Sequence, residues 1–99
     1  MRYQFDWDPA KERRNVREHG VSFRQASTIF RDPNHLSIYD EEHSEEEDRW
    51  LSLGIDSTGV PRVVSHTFQQ LEEDLCRIRI ISARKATSAE ARQYREANP

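Results

Sequence analysis

Ile80–Thr87 reads IISARKAT. An apolar, β-branched run ends in two adjacent cations, Arg84 and Lys85, and then meets Thr87, a residue suited to begin a helix. Upstream the run extends as LCRIRIISA over residues 75–83, the most strand-like stretch of the chain. Strand alternation turns Ile78 and Ile80 to one side and Arg77 and Arg79 to the other. Downstream, Thr87-Ser88-Ala89-Glu90 is a capping-box signature that opens a helix through about Glu96. Arg84 and Lys85 therefore sit at the junction of a strand and a helix.

Working outward, residues 50–55 (WLSLGI) place Leu51, Leu53 and Ile55 on one face. Asp56-Ser57-Thr58-Gly59 has turn composition and predicts a hairpin into residues 61–69. Residues 70–74 predict a polar turn before the last strand. Toward the N-terminus, RYQFDW at 2–7 alternates and carries aromatics, as a first strand would. Asp8-Pro9 supplies an N-cap and a proline in the first helical turn, and Gly20 stops that helix after about His19. Val16 and Ala10 are almost its only apolar residues, so it is expected on the surface, exposing Lys11, Arg14 and Asn15. Ser22 and Gln25 predict a capping box for a second helix, with Phe23, Ala26, Ile29 and Phe30 at helical spacing. Asp32-Pro33-Asn34 ends it, and Leu36, Ile38 and Tyr39 suggest a short strand. The order is β-α-α-β-β-β-β-α: an α+β fold with an antiparallel sheet flanked by helices, one domain over residues 1–99.

Hydrophobic residues make up 34% and charged residues 33% of the chain, so the core is thin and the surface dense with charge. The single cysteine, Cys76, excludes an internal disulfide and a cysteine-based zinc site; it reads as a small packing residue. The start of the chain lacks the apolar run of a signal peptide and no stretch is long enough to span a bilayer, which favours the cytoplasm. The net charge of −3 conceals a segregation. Segment 40–48, DEEHSEEED, holds seven of the 18 acids and no Lys or Arg, so the remainder carries a net +4.

Arg77, Arg79, Arg84, Lys85, Arg92 and Arg95 face a single acid, Glu90, between residues 77 and 95. Arginine suits phosphate because its planar fork donates two parallel hydrogen bonds and keeps its charge. The same row could instead be a solubilising face paired with the acidic segment. His66, in the middle of VVSHTF, could serve as an acid or base near neutral pH, or could be a hydrogen-bonded structural histidine. Arg49 is a further cation, or a salt partner for its acidic neighbours. Tyr94 shares a helix face with Glu90 and could stack on a base, relay a proton or dock the helix. Glu90 is explained by its capping position alone. The acidic segment lacks the glycine and ligand spacing of a calcium loop, and no metal site is expected there. With three glycines and no phosphate loop or GxSxG elbow, nothing supports nucleotide cofactors or serine hydrolysis.

Several stretches follow one another in a familiar order: FDWDPAK from Phe5, N-x-x-x-HGVSF from Asn15 to Phe23, and A-x-x-x-F-x-D-P from Ala26 to Pro33. H-S-E-x-E-x-R-W from His43 to Trp50 and RIISARKAT-x-x-E-x-x-x-Y from Arg79 to Tyr94 complete the series. Together they make the chain resemble the BrnT family of bacterial type II toxins across nearly its whole length. The resemblance implies a RelE-like fold that cleaves RNA without a metal or organic cofactor. It also implies a partner, a dimeric BrnA-like antitoxin with a ribbon-helix-helix domain. Operator DNA would be contacted only through that antitoxin, in a hetero-oligomer. On the family's motif positions, Arg79, Arg84 and Lys85 are expected at the scissile phosphate, with His66, Glu90 and Tyr94 as secondary candidates. Arg49, Arg77, Tyr94 and Lys11 are the expected RNA-binding residues. QQLEED (69–74) departs from the family as a longer connection than the tight turn expected. The rival expectation is a non-catalytic interaction module that binds antitoxin or nucleic acid without cutting.

Overall fold

A computed structural model describes residues 1–99. The strands are β1 (Arg2–Trp7), β2 (Leu36–Tyr39), β3 (Trp50–Ile55), β4 (Pro61–Glu72) and β5 (Leu75–Lys85). The helices are α1 (Pro9–His19), α2 (Phe23–Ser27, continued by a 3-10 turn over Thr28–Arg31) and α3 (Ser88–Ala97). The sheet order is β1-β5-β4-β3-β2. Four strands form antiparallel neighbours as expected, but β1 joins β5 in parallel, so the sheet is mixed. The crossover from β1 is carried by everything between it and β5.

Register and burial fix the two faces. Tyr3, Phe5 and Trp7 share a side with Cys76, Ile78 and Ile80, and pack with Val21, Phe23, Ala26, Ile29 and Phe30 from α2 and its flanks. Arg77, Arg79, Thr67 and Gln69 alternate onto the opposite face. Only 16 residues are buried, so the core is as thin as the composition implied. Cys76 is fully enclosed within it.

Two expectations change. The connection at 69–74 is not a long polar loop. Gln70–Glu72 prolong β4, and Glu73-Asp74 make a two-residue turn, with register irregularities at Ser65/His66 and Gln70/Glu72. The strand ahead of α3 also runs further than residue 83, so Arg84 and Lys85 lie within β5 rather than beyond it.

Asn15, expected among the exposed residues of α1, is buried instead, at 5% exposure. Its amide donates to the Ala83 and Val21 carbonyls at 2.9 and 3.0 Å and accepts from the Ala83 N–H at 3.0 Å. β1 stops pairing at Ile80, and Asn15 takes over the bare edge of β5 three residues later. A helical side chain thus imitates a neighbouring strand, satisfying a donor and an acceptor that would otherwise be buried without partners.

Caps end the helices as their sequences suggest. Asp8 accepts from the Ala10 N–H, and Gly20, at φ 70°, closes α1 in the left-handed region. Ser22 caps α2 through the Gln25 N–H, but the expected return bond is missing. The Gln25 side chain instead reaches Asp56 and Thr58. Buried Asp56 also accepts from the Thr58 and Val60 N–H groups and from Arg62 at 2.9 Å, welding the β3–β4 turn to α2. These bonds hold its carboxyl well below the usual carboxylate range, against the opposing pull of burial.

Candidate functional site

The face away from α1 and α2 has only α3 across one end. Thr87 and Glu90 exchange both bonds of a capping box, which starts α3 immediately after β5. Glu90 also receives both arms of Arg84, at 2.7 and 2.9 Å. Tyr94, one turn on, donates to Asp32 at 2.5 Å, and Asn98 donates to the Asn34 carbonyl. No residue of α3 is buried, so polar bonds at its start, middle and end carry much of its attachment.

Arg77 and Arg79 alternate onto this face beside Gln69 and Thr67, and the register shift at Ser65/His66, which leaves Ile81 unpaired, brings Arg84 onto it beside Val63. Arg49 precedes Trp50 in β3 and falls by the same alternation with Leu51, next to the Thr67 row. Arg77 has no acidic partner. Arg79 meets Asp6 at 3.3 Å with both side chains about half exposed, a contact of small energetic weight. Arg49 approaches Glu47 at 3.7 Å, and its Nε is enclosed without a hydrogen-bond partner. Lys11 sits elsewhere, on α1, where it lines a shallow groove of about 190 Å³ with Arg14, Asn15, Glu18 and Ile81.

Arg84 and Lys85 part company. Arg84 pairs in register with Val63 and faces α3; Lys85 pairs with Arg62 and points to the other side, exposed. Two neighbouring residues of one strand cannot both address a ligand lying flat on one face.

His66 does not join the arginines. It is 2% exposed on the helix-covered side. Its Nδ1 bonds the Thr67 carbonyl at 2.8 Å, which makes Nδ1 the protonated nitrogen and leaves Nε2 to accept from Ser52 at 2.7 Å. Ser52 in turn contacts Ser37 at 2.7 Å. Burial pushes the His66 pKa down, only partly offset by the Thr67 bond, so the ring is neutral and structural. Glu90 is equally unsuited to proton transfer near neutrality. The Arg84 bonds, and lesser ones from Thr87, pull its pKa to about 2 in spite of partial burial. A carboxylate that far from neutral pH holds no proton to give and is a poor acceptor. Tyr94 is tied to Asp32; partial burial and that bond push its pKa to about 12. Sequence reading missed the partners that immobilise these groups. Asp32 and Asp56 looked like turn residues, and only Thr67 and Gln69 could have been added to the arginine row by alternation.

No three His, Cys, Asp or Glu side chains gather as a metal site would require. No helix is long and apolar enough to cross a membrane.

The family described as "Ribonuclease toxin, BrnT, of type II toxin-antitoxin system" matches residues 7–90. Among solved structures, the 1.1 Å crystal structure of the Brucella abortus ribonuclease toxin BrnT superposes with a TM-score of 0.58. It covers 89% of this chain and 100% of its own at 18% identity, a likeness of fold. No curated protein sequence matches the chain.

Proposed function

The chain belongs to the BrnT family of ribonuclease toxins of type II toxin–antitoxin systems, and from that premise we propose that it is an RNA-cleaving toxin whose substrate lies across the arginine face of the sheet. The observation that carries this reading is the row Arg77, Arg79 and Arg84 on one face left open beyond α3. Paired strands fix the backbone from which these cations project, and Glu90 holds the Arg84 fork itself, which lowers the ordering cost that falls on binding.

The chemistry fits a metal-independent route. The ribose 2′-hydroxyl passes its proton to water as its oxygen attacks the adjacent phosphorus, the P–O5′ bond breaks, and the leaving 5′-oxygen takes a proton from water. Arg79 and Arg84 would neutralise the charge that builds on the phosphoryl oxygens, and Arg77 would hold a flanking phosphate, whereas Arg49 lies among the glutamates of the acidic segment and is given no phosphate. Neither His66 nor Glu90 is assigned a proton, for the reasons of burial and pairing given above. An antitoxin partner follows from the family, and a BrnA-like ribbon-helix-helix protein that carries the complex to operator DNA is the form we propose, in the cytoplasm. Incubating purified protein with RNA, with and without EDTA, tests the reading. Products ending in 2′,3′-cyclic phosphate, formed equally in EDTA and reduced about 10²–10³-fold by Arg79→Ala, are expected. Loss of cleavage in EDTA with recovery on adding a divalent ion would overturn the metal-free route.

A second reading, a non-catalytic module that binds antitoxin or nucleic acid, draws on one observation: Arg84 is already neutralised by Glu90 in the free chain. Expression that leaves growth unaffected, with no cleavage of any RNA supplied, would favour it.

A further inference from the structure

The side of the sheet opposite the arginines is not fully covered. Beyond α2, Tyr3, Phe30, His35, Trp50, His66 and Phe68 line an open, mainly apolar cleft of about 220 Å³. Phe68 remains 45% exposed at its mouth. Tyr39 packs edge-on to Trp50 at 5.3 Å and extends the aromatic wall, with its own surface 42% exposed. A small domain with so thin a core gains by covering such rings.

The charge around the cleft is distinctive. The acidic segment 40–48 leaves the sheet at Tyr39 and returns at Trp50, so it hangs from the cleft's own wall, and Asp48 accepts from the Tyr39 hydroxyl at 2.8 Å. Within that segment Asp40 contacts His43 and Glu47 contacts Arg49, while Glu41, Glu42, Glu45 and Glu46 have no cationic partner. Phosphates would be repelled there, whereas a cationic protein segment would be drawn in.

We propose that this cleft is where the antitoxin docks, through an amphipathic segment that seats an aromatic or aliphatic anchor between Trp50 and Phe68 and lays flanking Lys or Arg side chains on the acidic segment. The proposal rests on the toxin–antitoxin reading and adds the surface and the chemistry of the partner. Apolar anchoring supplies the affinity, and the unpaired carboxylates supply orientation and speed of association. Because the cleft and the arginine row occupy opposite faces, a bound antitoxin would leave the arginines uncovered by this contact alone.

The test co-expresses the chain with the protein encoded by the adjacent reading frame and measures the dissociation constant of the purified complex. Phe68→Asp should weaken the complex tenfold or more while RNA cleavage and thermal unfolding stay as in the parent. Combined Glu41→Gln, Glu42→Gln, Glu45→Gln and Glu46→Gln should slow association and flatten its salt dependence; this variant touches only exposed side chains and carries the test if Phe68→Asp misfolds. Parent-like binding by both variants would overturn the docking site and leave the toxin reading standing. Loss of RNA binding in Phe68→Asp with the complex intact would also overturn it, marking the cleft as a base-binding subsite. Absence of any complex with the unaltered chain would overturn the antitoxin reading and the docking site with it.

Discussion

Arg84 and Glu90 meet through two parallel N–H···O bonds of 2.7 and 2.9 Å, joining the end of β5 to the first turn of α3. The same carboxylate completes the helix cap by accepting from the Thr87 N–H at 2.8 Å. One side chain therefore aims an arginine and starts a helix. The arrangement separates positioning from chemistry in a testable way. Arg84→Ala should reduce RNA cleavage by about 10²–10³, the usual effect of losing a transition-state donor. Glu90→Gln should cost about 1 kcal/mol of stability through the weakened cap but keep cleavage within about threefold, since the arginine survives. Cleavage lost equally in both variants would show that Arg84 acts only while Glu90 aims it.

Lys85 gives the matching control. It points away from the arginine face, so Lys85→Ala should leave the cleavage rate within about threefold of the parent. A loss comparable to that of Arg84→Ala, measured under single-turnover conditions, would mean the substrate wraps around the sheet end.

Acid should weaken the fold in two stages. His66 is buried neutral with its pKa lowered from 6.5, so the unfolded chain takes up its proton first; stability is full above pH 6.5 and declines as pH falls below it. Glu90, lowered from 4.5 to about 2, contributes stability above pH 4.5 that is lost as pH falls through 2. Asp32 and Asp56, both lowered from 3.8, add to this second stage. Thermal unfolding followed from pH 8 to pH 3 should show both declines, and His66→Gln should remove the first.

Tyr94 anchors the far part of α3 on Asp32, whose carboxyl is held down by bonds from Tyr94 and the Ile55 and Asn34 N–H groups that outweigh its burial. Tyr94→Phe deletes one charge-assisted bond, expected to cost about 1.5 kcal/mol. Tyrosine raised from 10 to about 12 stabilises the fold below pH 10, and that contribution fades as pH rises through 12. Alkaline unfolding of the parent should therefore begin above pH 10, and the phenylalanine variant should lack this component.

Asn15→Ala should be the most damaging polar substitution in α1. It strands the Ala83 N–H and C=O at the unpaired edge of β5, and each buried group left without a partner costs about 1–3 kcal/mol. A melting temperature reduced by more than about 8 °C is expected. Parent-like melting would show that water replaces the amide.

Local pattern carried the elements a long way. The caps at Asp8, Ser22 and Thr87 follow from side chains that bond backbone groups two or three residues away, and Gly20 closes α1 through its own left-handed backbone, so all four are written in short stretches of sequence. The same holds for the alternation of Arg77 and Arg79 against Ile78. Hydrophobic content likewise implied a thin core. The strand ends were less legible, because QLE at 70–72 is mostly polar and became strand only through pairing with residues 75–76 across a two-residue turn.

Local pattern along the chain is enough to set cations of the last strand in alternation with its core residues and to place a capped helix after them. Tertiary contacts alone settled which face stayed open, that the irregularity at Ile81 puts Arg84 rather than Lys85 with the other arginines, that Asn15 closes a sheet edge and that His66 is buried on the helix side. Periodicity is a property of neighbours along the chain. What covers a face, and which distant group satisfies a buried donor, depends on residues such as Ala83 and Asn15 that lie 68 positions apart and meet only after the chain has folded.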